Sequence, residues 1–271
     1  MPELPEVETT MRGIKPFIDN SIIQRIVINN SNMRWPIDKK LPRILKNQPI
    51  LNLIRRGKYL IFSFEHGHLI LHLGMSGSLR VLSPSTPLDK HDHFEMYLRN
   101  NKVLRLRDPR RFGSVLWTKE HWENYKLLKN LGPEPLGDEF YETYLFEKSR
   151  KRNVCVKSFI MNSNVVVGVG NIYASESLFL AAINPNSKAG KISKLRYEKL
   201  TGAIIKILSS AIKQGGTTLK DFSSPDGKPG YFTQQLSVYG KEGQPCPVCN
   251  HPIKNKTISQ RATFYCTQCQ R

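Results

Sequence analysis

Two groups of residues in this 271-residue chain have types and spacing that could do chemistry. The first is Met1-Pro2-Glu3-Leu4-Pro5-Glu6. Loss of Met1, which the small Pro2 favours, leaves a secondary amine. Its ordinary pKa of roughly 7.7–8.0 keeps a useful fraction unprotonated near neutrality. Such an amine can attack an electrophilic carbon and form an iminium ion, with Glu3 beside it as proton donor or acceptor. The same residues suit a plain helix start, with Pro5 in the first turn and Glu3, Glu6 and Glu8 against the helix dipole. Taken alone they leave both readings open.

The second group is Cys246-x2-Cys249-x16-Cys266-x2-Cys269. Paired thiolates at this spacing offer four soft ligands to a tetrahedral zinc, and with no position left open the metal is structural. Zinc would staple residues 254–264 as a hairpin that projects Arg261. Residues 241–271 carry five Lys or Arg against one Glu, net +4, which suits nucleic acid. Cys155 stands apart from the four, so cysteine usage fits a reducing compartment rather than a disulfide scaffold.

Other stretches carry weaker signals. His91-Asp92-His93 offers ligands but no clear third partner for a metal. Gly168 and Gly170 begin like a dinucleotide fingerprint, but Tyr173 occupies the third glycine position and no βαβ unit surrounds it. A helix–turn–helix fits better, with Asn171 near the second N-cap, either as a structural cap or where exposed amides bind phosphate. Residues 215–235 are rich in Gly, Pro and Ser and contain Lys220, Phe222, Lys228, Tyr231 and Phe232. They suit a ligand-covering loop or a connector.

These groups need elements to position them. Val7, Met11, Ile14 and Ile18 recur at helical spacing, which predicts a helix over 5–18 that anchors the N-terminus. Strands are expected at 22–30, 50–64, 68–73, 78–82, 93–99, 102–107 and 113–117, with a hairpin turn at Asn100-Asn101. Many strands without alternating helices imply an antiparallel sandwich or barrel. Leu131-Gly-Pro-Glu-Pro-Leu136 reads as a hinge. Helices follow at 138–148, 154–163, 172–182 and 193–214. The expected fold is α+β: an N-terminal antiparallel β-sandwich over 1–130, a linker at 131–136, a helical region over 137–235 and a β-hairpin zinc finger over 236–271.

Composition narrows the partners. The chain is 39% apolar and has no apolar run long enough to span a bilayer or act as a secretory signal. Its 41 Lys and Arg against 22 Asp and Glu give +19 and a pI near 9.8. That charge points to a polyanion partner, because neutralising phosphates releases counterions.

Taken together, Pro2-Glu3-Leu4-Pro5-Glu6, Arg55-Arg56-Gly57-Lys58, Asp108-Pro109-Arg110-Arg111-Phe112-Gly113, Gly168-Val169-Gly170-Asn171-Ile172-Tyr173 and the four-cysteine finger stand in one order. The combination spans nearly the whole chain and resembles the bacterial formamidopyrimidine-DNA glycosylase (8-oxoguanine DNA glycosylase) family. The sister endonuclease VIII family has a similar plan, but typically carries Gly where this chain has Leu4 and prefers oxidised pyrimidines.

The resemblance implies a β-sandwich, a helix–two-turn–helix domain and a zinc finger, with double-stranded DNA lying between the halves. It implies that a damaged nucleotide is flipped out, that Pro2 attacks the sugar C1′, and that β,δ-elimination cuts the strand. Glu3 matches the general acid, Lys58 a second proton donor on a strand, and Arg261 the finger residue linked to δ-elimination and phosphate binding. His91, Arg110, Lys151 and Lys157 match DNA-contacting or near-site positions, and Asn171 and Tyr173 match phosphate contacts. Met75, Arg110 and Phe112 match a trio that fills the void left by the flipped base, and Lys220 lies in the lesion-capping loop. Ser158 stands where many relatives have proline. The implied protein is a cytoplasmic, nucleoid-associated monomer that needs one zinc and no membrane. An endonuclease VIII-like glycosylase and a non-catalytic zinc-containing nucleic-acid-binding protein are the alternatives.

Overall fold

A computed structural model describes residues 2–216 and 235–271. The described residues divide into two compact units, one from 2–129 with 214–216 and the other from 130–213 with 235–271.

The first unit opens with helix α1 (Leu4–Ile18). Val7, Ile14 and Ile18 are buried on its inner face, as their spacing predicts. Burying each such side chain contributes about 1.5–3 kcal/mol, which holds in place a 15-residue helix that would be marginal alone. Eight strands follow: β1 (Ile23–Ile28), β2 (Asn52–Arg56), β3 (Tyr59–Phe64), β4 (Gly67–His72), β5 (Ser78–Leu82), β6 (Asp92–Leu98), β7 (Val103–Arg107) and β8 (Ser114–Thr118). They form two antiparallel sheets, ordered β1-β6-β7-β5 and β2-β3-β4-β8. A short helix α2 (Leu41–Leu45) lies between β1 and β2 in sequence and packs on β1.

The sandwich core joins Ile23, Phe94, Met96 and Leu106 of the first sheet to Leu53, Phe62, Leu69 and Val115 of the second. Asn101 takes a left-handed φ of 59° and closes the β6–β7 hairpin. The single strand expected over 50–64 is instead two arms of a hairpin. Gly57, at φ 57°, turns the chain between β2 and β3, so Lys58 sits in the turn and not in a strand. Apolar residues fill both arms, and Arg55-Arg56-Gly57-Lys58 between them carries Gly57 as its one turn signal.

The second unit holds α3 (Tyr144–Ser149), α4 (Val156–Ile160), α5 (Asn171–Leu180), α6 (Lys194–Lys213) and the hairpin β9 (Lys254–Ile258)–β10 (Arg261–Tyr265). Helices α3 and α4 are shorter than the expected 138–148 and 154–163, because residues 138–143 ahead of α3, and 154–155 and 161–163 on either side of α4, leave the helical path. Residues 131–136 are fastened to this unit. The Gly132 N–H donates to Ser163 O at 2.7 Å, and the Val167 N–H donates to Pro133 O at 3.2 Å. A Cβ on Gly132 would come within 2.6 Å of the Val165 backbone, so the glycine permits a backbone-to-backbone approach. Among the described residues no helix is long and apolar enough to cross a membrane.

Candidate active site and metal centre

The α1 N-terminus fixes the position of Pro2 and Glu3. Glu3 is the N-cap, and its backbone N–H donates to Glu6 Oε2 at 2.8 Å while its own carboxylate accepts the Glu6 N–H. This reciprocal capping box satisfies two otherwise orphaned donors. Pro2 is buried, and Glu3 and Glu6 are 2% and 1% exposed. The helix start and the candidate nucleophile are therefore one structure rather than competing readings. Gly216, at φ 81°, packs on the same cap, where a Cβ would lie 2.8 Å from Glu6 Oε1.

A charged tie runs from α1 to Lys58. Glu8 Oε2 accepts from Arg55 Nε at 2.7 Å, and the Arg55 guanidinium also donates to Gly57 O at 3.1 Å in the Lys58 turn. Glu8 also accepts from Arg12 Nε at 2.7 Å. Burial alone would push the Glu8 carboxyl up, but Arg55 and Arg12 outweigh it and hold it below its ordinary value. His72 closes the other side of the turn. Burial first, then the charges of Lys58 and Arg34, push its pKa down to about 4. The ring is thus neutral near pH 7, with Nδ1 accepting the Gly74 N–H at 3.0 Å.

The three expected void-filling residues come together. Arg110 and Phe112 are exposed, with the guanidinium carbon 4.9 Å from the Phe112 ring centroid. Phe112 is 43% exposed and so is not a core residue. Met75 is partly buried in the 73–77 loop, which lies against the 108–113 loop: a Cβ on Gly74 would meet Gly113 N at 2.4 Å. His91 is partly exposed, with its ring edge-on to His93. Asp92 and His93 are buried and engaged with Arg105 and with the Asp108 carbonyl respectively.

In the second unit, Asn171 is the first residue of α5 and Gly170 is the N-cap, one position earlier than the sequence suggests. Lys157 and Asn171 converge on one atom, with Lys157 Nζ at 3.1 Å and Asn171 Nδ2 at 3.0 Å from Ala262 O. Lys157 also donates to Thr263 Oγ1 at 2.8 Å and is only 1% exposed. It therefore lies beneath the finger hairpin as an internal tie, rather than on an open surface as its expected DNA-contacting role would suggest. Arg261, the next residue back, is exposed at the start of β10, just after a turn in which Ser259 and Gln260 both have positive φ. Tyr173 is fully buried, and Lys151 is exposed in the turn after α3. Met1 and Lys220 lie outside the described residues.

The four finger cysteines place their Sγ atoms within 4.8 Å of one another. Tetrahedral Zn–S bonds near 2.3 Å require S···S separations of about 3.8 Å, and Cys249–Cys266 and Cys246–Cys269 lie at 3.4 and 3.9 Å. As a bare thiol Cys269 resists ionising: burial and the neighbouring sulfurs push it up to about 12. A central dication reverses that preference, so the donor set fits zinc. Four ligands fill its coordination, and its work is to fold the hairpin. Glu176, 2% exposed on α5, accepts the N–H groups of Ser237, Val238 and Tyr239 at 2.8–3.0 Å and seats the chain leading into the finger.

Three family models match in order: the formamidopyrimidine-DNA glycosylase N-terminal domain over residues 1–115, its H2TH domain over 131–223, and the zinc finger found in FPG and IleRS over 243–271. The formamidopyrimidine-DNA glycosylase of Hydrogenovibrio crunogenus is 53% identical over the whole of this chain and 97% of its own.

The chain belongs to the formamidopyrimidine-DNA glycosylase family.

Solved structures agree with that membership. Wild-type Lactococcus lactis Fpg bound to DNA containing N7-benzyl-Fapy-dG has a TM-score of 0.92 and 34% identity, with both chains covered completely. The same protein bound to DNA containing an oxidised pyrimidine gives 0.91 and 35%, again with full coverage. The fold of this family member, an antiparallel sandwich followed by an H2TH domain and a hairpin finger, is the α+β arrangement expected from sequence, and its one structural zinc is the expected cofactor. Sequence reasoning did not find the Glu8–Arg55 tie, His72, Asp108 or Glu176. The first and last were readable only as acidic residues on helices, since their partners lie 47 and at least 61 positions away.

Proposed function

We propose that this glycosylase-family protein removes oxidised purines from double-stranded DNA in base-excision repair and then cleaves the strand at the abasic site. The observation that carries the reading is the Pro2-Glu3 terminus, buried and capped at the head of α1 in a chain similar along its whole length to formamidopyrimidine-DNA glycosylases. Binding alone has no use for a positioned terminal amine.

With Met1 removed, the Pro2 nitrogen attacks C1′ of a flipped nucleotide, and the C1′–base bond breaks. Glu3 assists by giving a proton to the sugar ring oxygen as the ring opens. The resulting iminium on a secondary amine is permanently cationic and acidifies the C2′ proton. Its loss expels the 3′ phosphate, and a second elimination expels the 5′ phosphate. Lys58, close to His72 in the β2–β3 turn, serves the first elimination and contacts phosphate. Arg261 holds the phosphate of the flipped nucleotide. A guanidinium scarcely gives up a proton, so clamping suits it better than acid catalysis. His91, Lys151 and Asn171 bind or position DNA, the fully buried Tyr173 supports the start of α5 that carries Asn171, and Met75, Arg110 and Phe112 occupy the vacated space. The sandwich unit carries the chemistry, and the helical and finger unit grips the backbone.

Oxidised pyrimidines are the second reading, favoured by the Lactococcus lactis complex with such DNA. Excision assays on 8-oxoguanine and oxidised-pyrimidine duplexes side by side test it: faster release of 8-oxoguanine is expected, and faster release of the pyrimidine would overturn the purine assignment.

A further inference from the structure

Met75, Arg110 and Phe112 arise from two loops that are separate in sequence, and one buried carboxylate clasps them. Asp108 is 0% exposed and Ser76 is 3% exposed. Asp108 Oδ1 accepts the Ser76 hydroxyl at 2.6 Å, and Oδ2 accepts the Gly113 N–H at 2.8 Å. Ser76 Oγ in turn accepts the Arg110 N–H at 3.1 Å. Each of the three expected void-filling side chains is therefore on, or next to, a backbone position held by this network. The backbone around Asp108 is fixed as well: its N–H donates to His91 O at 3.0 Å, and its carbonyl meets His93 Nε2 at 2.9 Å.

The contact between the loops leaves no slack. A Cβ on Gly74 would stand 2.4 Å from both Phe112 C and Gly113 N, and one on Gly113 would stand 3.0 Å from Asp108 Oδ2. Hydrogen bonds to an ionised acceptor are short and strong, and a buried carboxylate holds its place only if its donors hold theirs.

We infer that Asp108 and Ser76 are positioning residues that preset Met75, Arg110 and Phe112 as a single wedge before DNA arrives. This rests on the reading that the trio fills the space left by the flipped nucleotide, and adds what makes it one body. Two independently mobile loops would have to be ordered during binding, whereas the clasp supplies that order in advance.

The test uses the full-length, zinc-loaded chain with Ser76→Ala, which removes one atom and with it both hydrogen bonds of the hydroxyl. Three readouts are taken: excision from an 8-oxoguanine·cytosine duplex and an 8-oxoguanine·adenine duplex, fluorescence of a 2-aminopurine beside the lesion as the wedge inserts, and lyase cleavage of a single-stranded abasic oligonucleotide. The expected result is a loss on the order of tenfold in duplex excision, a weakened insertion signal, a narrowed cytosine preference, and single-stranded cleavage within about twofold of wild type, where no duplex void exists. Unchanged duplex behaviour, or an equal loss on both strand forms, overturns the inference. Met75→Ala run in parallel separates it from the underlying reading. If Met75→Ala abolishes the insertion signal and Ser76→Ala does not, the clasp is wrong. If Met75→Ala leaves the signal intact, the wedge assignment is wrong and the clasp falls with it.

Discussion

At the scale of single residues, the site depends on polar groups whose protonation is set by their surroundings. His72 is the clearest. It is neutral and accepts a backbone N–H from the Met75 loop, with its pKa pushed down to about 4 by burial and by the Lys58 and Arg34 charges. Above about pH 6.5 the ring is neutral whether folded or unfolded, so pH has no effect through it. From 6.5 down to about 4 only the unfolded chain takes up the proton, and stability falls across that window. An NMR titration of the His72 ring is therefore expected to show a midpoint near 4, and His72→Asn, which can keep an acceptor without titrating, to flatten the fall in melting temperature between pH 6.5 and 4.5. A midpoint near 6.5 would contradict the account.

At the scale of elements, α1 and the β2–β3 turn are coupled through Glu8 and Arg55. Both side chains are 11% exposed, so solvent screens the pair little. Glu8→Gln leaves Arg55 with a weakened partner and is expected to cost roughly 1–3 kcal/mol in denaturant unfolding, and to slow the lyase step by loosening Lys58. The Glu8 contribution is complete above about pH 4.5 and is lost as acid protonates it below that value. A variant as stable and as active as wild type would show the tie to be incidental. What the sequence made legible follows the same lines. Helix α1 was readable because Val7, Ile14 and Ile18 repeat at its period, and the zinc hairpin because its ligands come in two close pairs. The β2–β3 hairpin was not, because apolar residues stand on both sides of Arg55-Arg56-Gly57-Lys58 and Gly57 is the one turn signal there. Lys157 was expected at a DNA-contacting or near-site position because nothing in the linear order of residues shows that Ala262 and Thr263 fold over it. Asp108 announced itself only as the first letter of a motif, since Ser76 lies 32 positions away.

At the scale of the whole molecule, a net charge of +19 governs how the protein meets DNA. Neutralising some six phosphates gives a slope of about −5 for log affinity against log salt, and a flat dependence measured by fluorescence anisotropy would contradict backbone clamping. Zinc removal by a chelator is expected to unfold the β9–β10 hairpin, release Arg261 from its fixed place and abolish tight DNA binding; unchanged affinity in a sample verified as zinc-free would refute that role. Both effects serve one backbone nitrogen, held at the head of α1. Borohydride trapping on an 8-oxoguanine duplex, followed by mass spectrometry of the adduct, tests it most directly. The account predicts a covalent protein–DNA adduct mapped to the nitrogen of Pro2 in chains that have lost Met1, and none in chains that retain it. An adduct on a lysine, or no adduct from a correctly processed N-terminus, would contradict it.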